Sequence, residues 1–255
     1  MRITDDKYLD QYNILIGNQI EKLIESFDFT EKGTDLGYQT QASAVYSSNI
    51  EGNSIDLNSY MNYKLSQEKL KPQKEIQEIE NLILAYEFAQ SNQLTEKNFL
   101  QCHKIFAKTV VIKSKQGKYR NEKVGVFGQS GLVYLAIEPE LVKESMSEFF
   151  KDLYVLLKKD LSKSEVFYFA SLIHLKFAHI HPFRDGNGRA ARLLEKWFIT
   201  EKISKDFWKL SSEKYYRDHQ TDYYKNINLG VNYYELNYDN CIPFLLMLPK
   251  SLENN

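Results

Sequence analysis

Cysteine is nearly absent from this chain, with only Cys102 and Cys241 among 255 residues. Two such residues, far apart, make neither a disulfide framework nor a zinc ribbon. Proline (5) and glycine (11) are also scarce, and no low-complexity linker or repeat period interrupts the sequence. One compact domain with extensions is therefore expected. Charge of either sign is not in excess: 33 Lys and Arg against 34 Asp and Glu leave a formal net charge of −1. That balance argues against a broad basic field for nucleic acid. No apolar run is long enough to span a bilayer, and the opening MRITDDKYLD lacks the apolar segment of a secretory signal. Partners are expected to be neither nucleic acid nor membrane, and the expected setting is a soluble protein of a reducing cytoplasm.

What the chain has is core-forming material, 43% hydrophobic and 14% aromatic, ample for packing at this length. From Pro139 to Leu157 the residues Val142, Met146, Phe149, Phe150, Leu153, Leu156 and Leu157 recur at helical spacing. From Val166 to Ala178 the pattern is apolar nearly all round, which predicts a central, buried helix. A further stripe follows in Ala190, Leu193, Leu194, Trp197 and Phe198. Between Lys123 and Ala136 the character changes, with KVGVF and LVYLA separated by Gly128-Gln129-Ser130-Gly131. This predicts a β-hairpin within a mainly helical fold.

The two core helices flank HPFRDGNGRAAR, His181 to Arg192. His181 can accept a proton, and Asp185 offers a hard oxygen to a divalent cation. Gly186, Asn187 and Gly188 permit a tight turn, after which a helix points its free N–H groups back into the loop. Arg189 and Arg192 lie three apart, so both guanidinium groups can reach one polyphosphate, with Mg²⁺ or Mn²⁺ offsetting the remaining charge. Upstream, SSNIEGN places Ser47 and Glu51 one helical turn apart on one face, and Gly52 suits the helix end.

The loop segment resembles the signature of the Fic family, HxFx(D/E)GNGRxxR, at His181, Phe183, Asp185, Gly186, Asn187, Gly188, Arg189 and Arg192. The resemblance implies an all-α Fic fold, a helical bundle with a small β-hairpin flap. It implies transfer of AMP from ATP to a Ser, Thr or Tyr hydroxyl of a target protein, with His181 as base and the loop from Asp185 to Arg192 on Mg²⁺- or Mn²⁺-bound nucleotide. The Doc branch, which transfers phosphate, departs from the GNGR core that this chain keeps. SSNIEGN is similar to the family's inhibitory pattern (S/T)xxxE(G/N) through Ser47, Glu51 and Gly52. The resemblance makes Glu51 a partner of Arg192 that blocks the productive pose of the γ-phosphate. The hairpin, about 123–136 with Val124, Gly125, Val126 and Phe127 in its first strand, resembles the family's flap, which aligns a target segment by strand addition. The preceding GKYRNEKV is similar to the family's approach to that flap. In DYYKNI, Tyr223 and Tyr224 resemble a tyrosine pair placed near the adenine and ribose, where a ring can cover one base face. The expected organisation is a helical extension over 1–38 and a Fic domain over 39–255 that contains the inhibitory helix, 39–53.

His174, His179 and His181 lie close together, but their spacing fits no usual zinc pattern. His174 is expected to be a hydrogen-bonded core residue, and His179 a support behind the loop. Three other readings stand beside AMP transfer: removal of AMP dependent on Glu51, use of another nucleotide, and an ATP-binding interaction module without catalysis. Homodimers and self-modification are open from the resemblance.

Overall fold

The structure, a computed structural model, describes residues 1–27, 29, 35–66, 73–128 and 131–253. It is mostly helical. In chain order the helices are α1 (Leu9–Leu15), α2 (Ile20–Ser26), α3 (Leu36–Ile50), α4 (Leu57–Ser66), α5 (Gln73–Gln90) and α6 (Glu96–Phe106). An antiparallel hairpin follows, β1 (Gly125–Gly128) and β2 (Gly131–Leu135). The order then continues with α7 (Pro139–Lys158), α8 (Lys163–Ile180), α9 (Asn187–Lys202), α10 (Ser212–Asp218), α11 (Gln220–Ile227), α12 (Ile242–Leu245) and α13 (Met247–Lys250). Among the described residues no helix is long and apolar enough to cross a membrane.

The apolar run predicted over 166–178 lies inside α8, which is buried on every side from Val166 to Leu175. Its start is set by a capping box: the Ser162 amide donates to Glu165 at 2.8 Å and the Glu165 amide donates to the Ser162 hydroxyl at 3.3 Å. Such a cap stabilises a helix by about 1 kcal/mol. Burying each of Phe167, Phe169 and Leu172 contributes about 1.5–3 kcal/mol more, so Leu172→Ala would cost about 2–5 kcal/mol through the cavity it leaves. α7 begins at Pro139, where a missing N–H is harmless, and ends one residue beyond the predicted Leu157.

Around α8 pack α9, α7, α1, α2, α12 and α13, while α3 lies across α5, α10 and α9. The apolar finish from Cys241 forms two short helices that meet at Leu246. The hairpin strands match the prediction, and the turn residues Gln129 and Ser130 lie outside the described residues. Tyr134 fastens the hairpin to the bundle by donating to the His179 carbonyl at 2.6 Å. One position on the outer edge of β2 is taken by the chain itself, where the Leu135 amide donates to Val231 O at 2.9 Å.

Candidate active site

α8 ends at His181 because Pro182 cannot follow in a helix and disfavours helical backbone in the residue before it. His181 adopts a left-handed conformation, φ 51° and ψ 56°. It is the one non-glycine residue with positive φ among the described residues. Such strain persists where the surroundings over-determine it. Arg120 supplies that constraint. Buried itself, it donates from Nε to His181 O at 2.7 Å and from Nη2 to Ile137 O at 2.6 Å, and its own amide donates to Pro182 O at 2.8 Å. The base of the hairpin is thereby tied to the end of α8.

The His181 ring is oriented by Nδ1, which lies 3.2 Å from Ala178 O. A carbonyl only accepts, so Nδ1 carries the proton and Nε2 keeps its lone pair. Burial, with help from the Arg120 charge, holds the imidazole pKa below its ordinary 6.5 against the pull of the Ala178 carbonyl. Near pH 7 this side chain is therefore a neutral base.

The loop that follows is stitched by Asn187, whose Oδ1 accepts from the Phe183 amide at 2.8 Å while its Nδ2 donates to Phe183 O at 2.9 Å. Gly186 has φ +83°, and a Cβ there would strike the Phe106 ring, so both conformation and space demand glycine. Asp185 is exposed and accepts the Gly186 amide on Oδ1 at 2.6 Å. No side chain caps the first turn of α9. Its leading amides thus form an anion cradle at the positive end of the helix.

Glu51 reaches into that cradle. It caps the C-terminus of α3, which ends at Ile50 and not at the expected 53, and Gly52 follows with φ +92°. A Cβ on Gly188 would collide with Glu51 Oε1, so the carboxylate lies directly over the glycine backbone. Oε1 accepts from Arg192 Nη2 at 2.7 Å. Burial pushes the Glu51 carboxyl upward, but Arg192 and Arg189 together hold it below the usual value. Arg192 is fully buried and three further donors are engaged: Nε on Ser47 Oγ at 2.9 Å, Nη2 on Ser47 O at 2.9 Å and Nη1 on Tyr223 OH at 3.2 Å. One turn further on, Lys196 donates to Ser43 Oγ at 2.9 Å and pairs with buried Glu213. Two cations on one face of α9 therefore grip two serines on one face of α3.

Behind Arg192 the sequence signals are absent and the structure supplies the rest. Tyr223 OH lies 2.9 Å from His174 Nε2, and His174 Nδ1 lies 2.8 Å from Glu195 Oε2, which also accepts from Tyr216 at 2.9 Å. His174 is the expected hydrogen-bonded core residue. Tyr223 is only 2% exposed and turns inward to this network, so its ring does not present a face to a base. Tyr224 is the open member of the pair at 45% exposure, and it donates to Ile50 O at 2.7 Å, where Gln220 donates as well. His179 is held behind the loop by Tyr238 and Ile227 O. In the hairpin Val124, Gly125 and Val126 are partly covered, whereas Phe127 is 73% exposed beside its cross-strand partner Leu132.

Comparison with known proteins agrees with this architecture. Residues 93–199 match the Fic/DOC family. A segment of 78 residues is 41% identical to the Protein adenylyltransferase Fic of Nematostella vectensis, covering 31% of this chain and 16% of that relative's length. Among solved structures, a Fic family protein from Desulfovibrio desulfuricans is similar over 95% of this chain and 72% of its own, with TM-score 0.78 at 23% identity. A Fic domain containing signaling protein from Bacteroides thetaiotaomicron is similar over 93% of this chain and 94% of its own, with TM-score 0.69 at 19% identity. At these identities the two structures speak for the fold, and the matched segment, which contains the whole signature loop, speaks for the family. Residues 93–199 thus carry the match to the Fic/DOC family, and the fold of the chain is that of Fic proteins.

Proposed function

We propose that this chain is a protein adenylyltransferase that moves AMP from ATP to a hydroxyl side chain of a target protein and is restrained by Glu51. The observation that carries the reading is the neutral His181 with a free Nε2, set beside an uncapped helix start that already holds a carboxylate. A triphosphate lying along the loop would take the amides of Asn187 and Gly188 and the guanidinium groups of Arg189 and Arg192. Arg189 is suited to this, because its Nε is buried without a hydrogen-bond partner among the described residues. His181 Nε2 takes the proton of the incoming hydroxyl as its oxygen bonds to the α-phosphorus and the bond to pyrophosphate breaks. Positioning and charge stabilisation carry most of the acceleration.

The donor set suits Mg²⁺ or Mn²⁺. Among the described residues no group of three acidic, His or Cys side chains could cage a metal, while Asp185 offers one exposed carboxylate. Mg²⁺ commonly takes one or two carboxylates and completes its shell with phosphate oxygens and water. Bound by Asp185, the ion would offset phosphate charge. A target segment would add to the open edge of β1, since the far side of β2 is blocked at Leu135. Tyr224 stands where it could border the base, and its bond to Ile50 O also ties α11 to the end of the restraining helix.

The test is the intact mass of the chain and of candidate targets after incubation with Mg·ATP, wild type beside Glu51→Gly. An added AMP on the variant alone supports transfer and restraint together. ATP binding with no transfer by either protein would favour an interaction module. Release of AMP from a modified target by wild type but not by Glu51→Ala would favour the reverse reaction.

A further inference from the structure

His103 lies outside the signature, on α6, and is 1% exposed. Its surroundings fix both ring nitrogens. The Gly117 amide, which can only donate, points at Nδ1 from 2.9 Å, so Nδ1 is the acceptor. The proton therefore sits on Nε2, which donates to Asp185 O at 3.1 Å. The ring also stacks on Phe183 with centroids 3.7 Å apart and planes 15° from parallel, and meets Phe106 edge-on at 5.1 Å. Phe106 in turn fills the space under Gly186. Gly117 is pressed against α6 in a left-handed conformation, φ +65°, where a Cβ would strike Leu100 O and Lys104. One imidazole thus bridges a turn leading to the hairpin and the peptide that joins Asp185 to Gly186.

That peptide sits between two functions. On one side is the Asp185 carboxylate, and on the other are the amides of the α9 cradle. Rotation of the peptide would turn the carboxylate and the amides away from a common phosphate. A second group holding a ligand's backbone in this way is a recurring device for metal sites.

We propose that His103 is a positioning residue that fixes Asp185 and the cradle toward the same metal-bound triphosphate, through its Nε2 hydrogen bond and not merely through packing. The assignment rests on the nucleotide reading given above. Two near-isosteric variants separate the ring's contacts. Asn places an oxygen near Nδ1 and keeps the Gly117 bond, whereas Gln places a nitrogen near Nε2 and keeps the Asp185 bond. Both lose the stack on Phe183.

The experiment places His103→Asn and His103→Gln in the Glu51→Gly protein. It measures the Kd for Mn²⁺·ATP by calorimetry, hydrogen exchange of the amides from 183 to 188 without nucleotide, and the thermal midpoint. Expected is a loss of affinity of about 10-fold or more for Asn, with faster loop exchange, and values near the parent for Gln. Equal behaviour of the two variants, whether both weakened or both unchanged, overturns the proposal and reduces His103 to packing. If the parent itself binds no Mn²⁺·ATP, the nucleotide reading fails. Loop exchange then decides whether His103 orders the loop, and equal exchange in Asn and Gln rejects it.

Discussion

Arg189 and Arg192 come from the same turn of α9, both buried at 8% and 0% exposure, yet they live in opposite circumstances. Arg192 gives four of its five N–H groups to Ser47, Glu51 and Tyr223. Arg189 keeps a buried Nε with no partner among the described residues. An unsatisfied buried donor costs about 1–3 kcal/mol, and native proteins tolerate it chiefly where something else is meant to bind. One fork is committed to the protein and the other is held ready. Within a single helical turn, the restraint thus occupies one fork and leaves the other open.

The largest expected effect spares both arginines. His181→Ala should lower AMP transfer by about 10²- to 10⁴-fold, the range of a general base, while calorimetry shows ATP affinity close to wild type. Transfer near the wild-type rate would remove His181 from the chemistry.

Next comes the Glu51–Arg192 pair. A hydrogen bond between charged groups is worth about 1.5–3 kcal/mol net, so Glu51→Gly should raise transfer by about 10- to 100-fold. Arg192→Ala should lower it in either background, because the same guanidinium serves the triphosphate. The double variant should then match the arginine variant, and additive effects on log rate would mean that Glu51 acts by another route.

Stability should reverse the ranking of the two arginines. Arg192→Ala leaves Tyr223 and Ser47 without a donor and should cost about 1–3 kcal/mol in urea unfolding for each group stranded. Arg189→Ala removes an unpaired donor and should cost less. Equal losses would erase the contrast.

The last tests are those of pH. Because the His181 pKa lies below 6.5, transfer should hold constant from neutrality down and fall only in a limb below that value. A limb above 6.5 would contradict the neutral base. His179 behaves similarly in stability, since burial pushes its pKa down from 6.5 to about 3. Between these values the unfolded chain binds a proton that the folded one refuses. Folding should therefore lose about 1.4 kcal/mol per pH unit on acidification through that window, then level off below it. His179→Gln should flatten this slope.

The part of this site that could be read in the sequence is the part that is local. His181 to Arg192 span a helix end, a loop and a helix start, and each residue's place follows from its neighbours. The bounds of α7 were likewise legible, because apolar spacing and Pro139 act within a turn or two, whereas α8 starts before the apolar run at a Ser162–Glu165 capping box that was not singled out. Arg120 and His103 were not singled out. Their partners, His181 O and Asp185 O, lie 61 and 82 residues away, and no pattern in the chain announces which carbonyl an arginine or histidine will find. Tyr223 was legible as a site residue but not in its orientation. Adjacent helical residues point about 100° apart, so only one tyrosine of the pair could face the open side, and packing of α11 gave that place to Tyr224.

The amide of Leu135 is spent on Val231, so the far edge of β2 is blocked at one end and β1 is the more open side of the hairpin. A sheet with two open edges can be extended without limit, each addition offering a fresh edge to the next. Here the contact at Leu135 hinders addition beside β2, so growth is favoured from β1. Two molecules that met along this edge would close it and stop at a pair, and a guest peptide would exclude the second molecule as surely as the second molecule would exclude the guest.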